Sequence, residues 1–131
     1  VVDYIRRTHI VYSVNGVGQP AAAAALLDDT DHIAATRRMV AGAKSLLIPA
    51  FEPLGLRHVA GAGNFVMVET PVSDSLIYRH LMRRGEMVRT KTGFRFPNWI
   101  RVSLVQQPVM QKFLTIFREV LKTVRPDEVA V

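Results

Sequence analysis

Arg101 interrupts Trp99-Ile100-Arg101-Val102-Ser103-Leu104-Val105, an otherwise apolar run that reads as a strand. A sheet that shelters a guanidinium carries a desolvation cost, and an anion is the partner that offsets it. The group is planar, permanently charged and presents its donors as a fork, which suits two-point capture of a carboxylate or phosphate. Arg101 is therefore the candidate anion-binding residue; the competing arrangement points it to solvent or pairs it with a neighbouring carboxylate. Other constellations fail on spacing. His9, His32, His58 and His80 show neither metal-ligand spacing nor a partnered carboxylate pattern. Ser45 and Ser103 lack a nucleophile elbow, and Gly61-Ala62-Gly63 precedes a strand instead of opening a helix, the wrong context for a dinucleotide loop. No catalytic residue and no metal ligand is assigned.

The elements that must position Arg101 follow from periodicity. Val2 to Arg7 is a short helical stretch, followed by β-branched Thr8-His9-Ile10-Val11-Tyr12. Asn15 is a cap for a second helix with Pro20 in its first turn and the helix-prone run Ala21 to Leu27. Asp28-Asp29-Thr30-Asp31 is a further start signal, leading into the amphipathic pattern Ile33, Arg37, Met39-Val40, Ala43, Leu46-Leu47, Phe51 and Leu54, interrupted at Pro49 and stopped by Gly55. Leu56 to Val59 reads as an edge strand and Asn64 to Thr70 as a central strand ended by Pro71. Ser73 then caps a helix from Asp74 to Arg84, closed by Gly85. Met87-Val88-Arg89 is a short strand, and Thr90 to Asn98 a loop or hairpin into the strand of Arg101. Pro108 opens a last helix whose Met110, Phe113-Leu114, Phe117, Val120-Leu121 and Val124 make one apolar stripe. The expected fold is α+β, a small antiparallel or mixed sheet covered by helices on one face.

Composition narrows the function classes. At 131 residues, 49% of them hydrophobic, the chain can bury a core of its own. The net charge of +6 invites a nucleic-acid partner, yet the basic residues are scattered over helix faces and no nucleic-acid motif accompanies them, so none is expected. No apolar run is long enough to cross a bilayer, and no membrane partner is expected. With no cysteine there is neither a disulfide framework nor a thiolate metal site, and a cytoplasmic setting is the expectation. Since the chain begins Val1-Val2-Asp3-Tyr4, without methionine or apolar leader, it is expected to be a piece of a longer polypeptide.

Four segments, in order, carry a resemblance. Tyr12-Ser13-Val14-Asn15-Gly16-Val17-Gly18-Gln19-Pro20-Ala21-Ala22-Ala23, Gly63-Asn64-Phe65-Val66-Met67-Val68, Arg84-Gly85-Glu86-Met87-Val88-Arg89 and Pro97-Asn98-Trp99-Ile100-Arg101-Val102-Ser103 resemble motifs of histidinol-phosphate aminotransferases and their relatives among fold-type I pyridoxal-phosphate enzymes. The resemblance implies that residues 1–27 are the tail of the large domain with its linking helix and residues 28–131 the C-terminal small domain. It gives Arg101 the substrate's anionic group, and Arg89 a second arm where that group is a phosphate. It also implies pyridoxal 5'-phosphate in the parent enzyme, the remainder of the parent chain as partner, a homodimer, and an amino acid or amino phosphate as substrate.

Two departures stand out. The family's glycine after the clamp strand is replaced by Leu104-Val105-Gln106-Gln107, and Arg95 adds a positive charge without an assigned role. The cofactor also needs an amine that holds it as a Schiff base and moves the α-proton. In the family this lysine lies upstream of the segment resembling Tyr12 to Leu27, and none of Lys44, Lys91, Lys112 and Lys122 has its motif. The chain by itself is therefore expected to hold no cofactor covalently and to be inactive. The alternative function is a non-catalytic α+β regulatory or interaction module, a pseudoenzyme remnant.

Overall fold

The computed structural model describes residues 1–10, 12–28 and 31–125, so Val11, Asp29, Thr30 and the expectations placed on them lie outside the described residues. The chain divides into two compact units, Val1–His32 and Ile33–Val131. In the first, α1 (Val2–Thr8) and α2 (Gly18–Leu27) form where the helix signals lie. The Asn15 side-chain oxygen accepts the Gly18 N–H at 2.6 Å, which ties down one of the orphan donors of the first turn. No described residue of α1 or α2 is buried.

The second unit holds the core. α3 (His32–Phe51) continues through Pro49 before tightening into a 3₁₀ turn, Glu52–Leu54, and Gly55 at φ 66° stops it in a left-handed conformation open to glycine at little cost. Four strands follow: β1 (His58–Val59), β2 (Phe65–Glu69), β3 (Arg89–Thr90) and β4 (Trp99–Ser103). They pair in the order β1-β2-β4-β3, antiparallel throughout. α4 (Asp74–Met82) links β2 to β3, and α5 (Gln107–Thr123) follows β4 with Pro108 in its first turn. The α+β layer is as the periodicity implies, with every strand pair antiparallel.

Strand alternation decides which face is which. Val66, Val68, Ile100 and Val102 are at most 3% exposed, and successive side chains of a strand point to opposite faces, so these four define the helix-covered side. Against them pack Leu47 and Phe51 of α3, Leu76, Ile77 and Leu81 of α4, and the α5 stripe Met110, Phe113, Leu114, Phe117 and Val120. Phe117 stands edge-on to Phe51 and stacks with Phe113, at centroid separations of 6.2 and 5.4 Å. No helix among the described residues is long and apolar enough to cross a membrane.

Two local outcomes differ from expectation. α4 is closed as a Schellman turn: the Glu86 N–H donates to Leu81 O and the Gly85 N–H to Met82 O, with Gly85 at φ 81°. The chain uses up Glu86 to Val88 in leaving this turn, so β3 starts at Arg89 and not at Met87. Ser73 does precede α4, but its hydroxyl makes no cap bond; its carbonyl accepts the Leu76 and Ile77 N–H groups instead.

Phe117→Ala removes a ring that is 0% exposed at the junction of α3 and α5. It should destabilise the fold by about 3–5 kcal/mol, read as a lower urea midpoint with an unchanged slope.

Candidate functional site

Because Ile100 and Val102 face the helices, Trp99, Arg101 and Ser103 face the other side of the sheet. The register then sets a row across that uncovered face: Arg101 is opposite Met67 on β2 and opposite Arg89 on β3. Directly opposed residues of an antiparallel pair have Cβ atoms about 5 Å apart, and like charges placed there repel. Two arginine side chains thus leave the same face from directly opposed positions, one on a central strand and one on an edge.

Aromatic rings lie beneath both cations. The Arg101 Cζ is 5.4 Å from the centroid of Phe65, its diagonal neighbour on β2. The Arg89 Cζ is 5.2 Å from the centroid of Phe94, and the Lys91 Nζ lies 4.3 Å from the same ring. A ring face attracts a cation and leaves its in-plane N–H donors free for an anion. Arg101 is half-buried, and its Nε is a buried polar atom without a hydrogen-bond partner. Such an atom in a folded protein marks a missing acceptor.

The backbone on both sides of the row is pinned. Asn98, immediately before β4, is at φ 64°, a region Asn visits more readily than most residues. Its carbonyl accepts the Thr70 N–H at 2.7 Å, and the buried Thr70 hydroxyl lies 2.8 Å from both Asn98 O and Val72 O. This locks the end of β2 to the start of β4. On the other side, the Asp74 carboxylate accepts the Lys91 and Thr92 N–H groups at 2.7 and 2.9 Å. After β4, Leu104 is buried and its N–H donates to Asn64 O at 2.8 Å, so one residue of the segment Leu104 to Gln107 extends the pairing of β4 before α5 begins.

A second arginine arrangement on the sheet is electrostatically complete. Arg57 donates from Nε to Glu69 Oε2 and from a terminal nitrogen to Oε1 at 2.7 Å, with its Cζ 5.9 Å from the Trp99 ring centroid. The hydrogen bonds from Arg57 hold the Glu69 carboxyl below its ordinary value, and those to Glu69 raise Arg57. A concavity of about 670 Å³ adjoins this pair, lined also by Leu54, Leu56, Arg118, Leu121 and Lys122. Neither Arg89 nor Arg101 lines it.

The structure therefore brings Arg89 and Arg101 together as cross-strand partners. Arg95, exposed, closes the 3₁₀ turn Thr92–Phe94 at φ 65°. Phe65, Phe94 and Asp74 are not among the candidate site residues read from the sequence: Phe65 meets Arg101 through the non-local pairing of β2 with β4, and nothing local marks the other two. Lys44 donates to Gly61 O, Lys91 rests on Phe94, Lys112 pairs with Glu86 at 3.2 Å, and Lys122 lines the concavity by Arg57. Among the described residues no group of three His, Asp or Glu side chains stands ready for a metal.

Arg89→Glu turns the opposed like charges into an ion pair. It should stabilise the fold by up to about 1 kcal/mol at low ionic strength, with the gain shrinking as salt is added. Thermal melts across a salt series measure both.

Comparison with known proteins gives a consistent picture. The family model described as aminotransferase class I and II matches residues 1–117. Histidinol-phosphate aminotransferase 1 of Nitrosococcus oceani is 31% identical over 125 residues, covering 95% of this chain and 34% of the relative. Histidinol-phosphate aminotransferase 2 of Pseudomonas aeruginosa is 33% identical over 121 residues, covering 92% and 32%. A solved structure from Erwinia carotovora, described as a candidate histidinol-phosphate aminotransferase, matches with a TM-score of 0.70 and 25% identity over 88% of this chain and 33% of its own. The chain thus spans about a third of the length of the curated relatives it matches. With a family model running from its first residue through most of α5, the chain belongs to the aminotransferase class I and II family.

Proposed function

We propose that this chain is the C-terminal part of a pyridoxal-phosphate-dependent aminotransferase of the histidinol-phosphate type, and that it supplies the wall that receives the substrate's anionic group. The observation that carries the proposal is the cross-strand pair Arg89 and Arg101, with the Arg101 Nε buried and unpartnered. Arg101, on the central strand, takes the carboxylate or phosphate; Arg89, on the edge, is the second arm. An anion between them meets charge-assisted donors from both and removes their mutual repulsion.

Residues 1–27 are proposed as the tail of the large domain with its linking helix, and residues 28–131 as the small domain. The remainder of the parent chain would face the uncovered side of the sheet, in a cytoplasmic homodimer acting on an amino acid or amino phosphate. None of Lys44, Lys91, Lys112 and Lys122 carries the lysine motif of the family that the chain resembles. Cofactor binding and proton transfer are therefore assigned to the remainder of the parent chain, and this chain alone is proposed to be inactive. Its contribution is to bind, to orient, and to exclude water when the two parts close on substrate.

In the full-length parent, Arg101→Ala should lower kcat/KM for the amino donor by on the order of 100-fold while leaving the cofactor's visible absorbance intact. Unchanged kinetics would remove the clamp role and favour a non-catalytic interaction module. This chain alone, mixed with pyridoxal phosphate, should give no stoichiometric adduct at a single lysine; mass spectrometry that finds one overturns the assignment of the cofactor to the rest of the protein.

A further inference from the structure

We infer that Asp74 is a positioning residue for the anion clamp, holding Arg89 in place through the loop that follows it; the inference rests on the clamp proposed above. Asp74 is the first residue of α4, one of the few buried polar side chains, and only 1% exposed. Its two oxygens are used fully. Oδ2 accepts the N–H groups of Lys91 and Thr92 at 2.7 and 2.9 Å, and Oδ1 accepts the Thr92 hydroxyl at 2.6 Å and the Ser75 N–H at 3.0 Å. Three of these four bonds reach across from α4 to residues that directly follow β3.

That loop needs an anchor. β3 is an edge strand of two residues, Arg89–Thr90, paired only to β4, and so short an edge frays unless it is held elsewhere. Thr92 opens the 3₁₀ turn Thr92–Phe94, whose Phe94 ring lies beneath both Arg89 and Lys91. The turn is closed by Arg95 in a left-handed conformation that a residue with a long side chain adopts only at a cost. Holding Lys91 and Thr92 therefore fixes two things at once: the end of the strand that places the Arg89 Cα opposite Arg101, and the ring that supports its guanidinium. The carboxylate is out of reach of an anion on the uncovered face, since its acceptor sites are already occupied and it carries the wrong charge. Its effect on substrate must pass through Arg89.

The test is a double-mutant cycle in the full-length parent enzyme. Asp74→Asn keeps the volume but sets an NH₂ against N–H donors, and Thr92→Val removes one bond from the exposed side of the same link, a milder change should the first variant fold poorly. Asp74→Asn should raise the KM for the amino donor roughly tenfold and Thr92→Val roughly threefold, each with kcat within about twofold of the parent. In an Arg89→Ala background, both effects should vanish, because the arm they position is gone. Equal KM increases with and without Arg89 would overturn the inference, as would an unchanged KM in both single variants. Arg101→Ala, run in parallel, separates the two claims. If it cripples turnover while the Asp74 and Arg89 effects simply add, the clamp stands and the role of Asp74 falls; if it changes nothing, the clamp falls and takes the role of Asp74 with it.

Discussion

Two arginines stand opposite each other across a strand pair, and the rest of the second unit decides that they stay there. The decision is made on the opposite face of the sheet. Val66, Val68, Ile100 and Val102 alternate with the residues of the uncovered side, so a one-residue slip of β4 would put Arg101 into the core and both Ile100 and Val102 into water. Burying an unpaired guanidinium costs several kcal/mol, and exposing each aliphatic side chain costs about 1.5–3 kcal/mol more, so that together these costs are comparable to a domain's whole stability margin. The register of the charged row is therefore a by-product of the hydrophobic effect on the other side. The α5 stripe and the Phe51–Phe117–Phe113 cluster serve the site although they lie a whole layer away from it.

The contrast between the two arginine arrangements is why the proposed clamp uses one and not the other. Arg57 is closed upon Glu69 by a two-point bond and has a carboxylate held in its charged form beside it. An incoming anion would have to displace that partner. Arg101 is supported by a ring and flanked by a thioether and another cation, none of which accepts a hydrogen bond well. A cation over an exposed ring gains about 0.5–1 kcal/mol, enough to orient it and too little to satisfy it.

Much of this was legible in the sequence, and what was not has a physical reason. The apolar flanks of Arg101 identified β4, the 3.6-residue stripe identified α5, and Gly55 and Gly85 marked their helix ends, because each signal is local and strong. The pairing of Arg89 with Arg101 is not local: it depends on where the chain re-enters the sheet after the Schellman turn, and the expected strand at Met87 to Arg89 was displaced by the residues that turn consumes. Asp74 read as an acidic residue in a helix's first turn, which it is. Its bonds to Lys91 and Thr92 span 17 and 18 residues, and no propensity records them. Phe65 read as part of a strand and Phe94 as part of a loop, and only the register and the 3₁₀ turn place them under cations.

An open sheet face is a weak place to hold an anion, and that weakness is useful. Unit charges 4 Å apart gain about 1 kcal/mol in bulk water but about 4 kcal/mol at the effective dielectric of a partly enclosed protein site. The Arg89 and Arg101 pair, uncovered, would compete poorly with water and salt for a carboxylate or phosphate. Covered by a second surface, the same two groups lose their solvent, their repulsion becomes more costly, and the bound anion is the simplest way to relieve it. In the proposed enzyme, anion affinity and closure would then reinforce each other: substrate would favour the closed arrangement by bridging the arginines, and closure would favour substrate by removing the water. This coupling needs no moving part within the second unit itself. It would need only the sheet to keep its register and the edge strand to stay paired, so that Arg89 stays opposite Arg101.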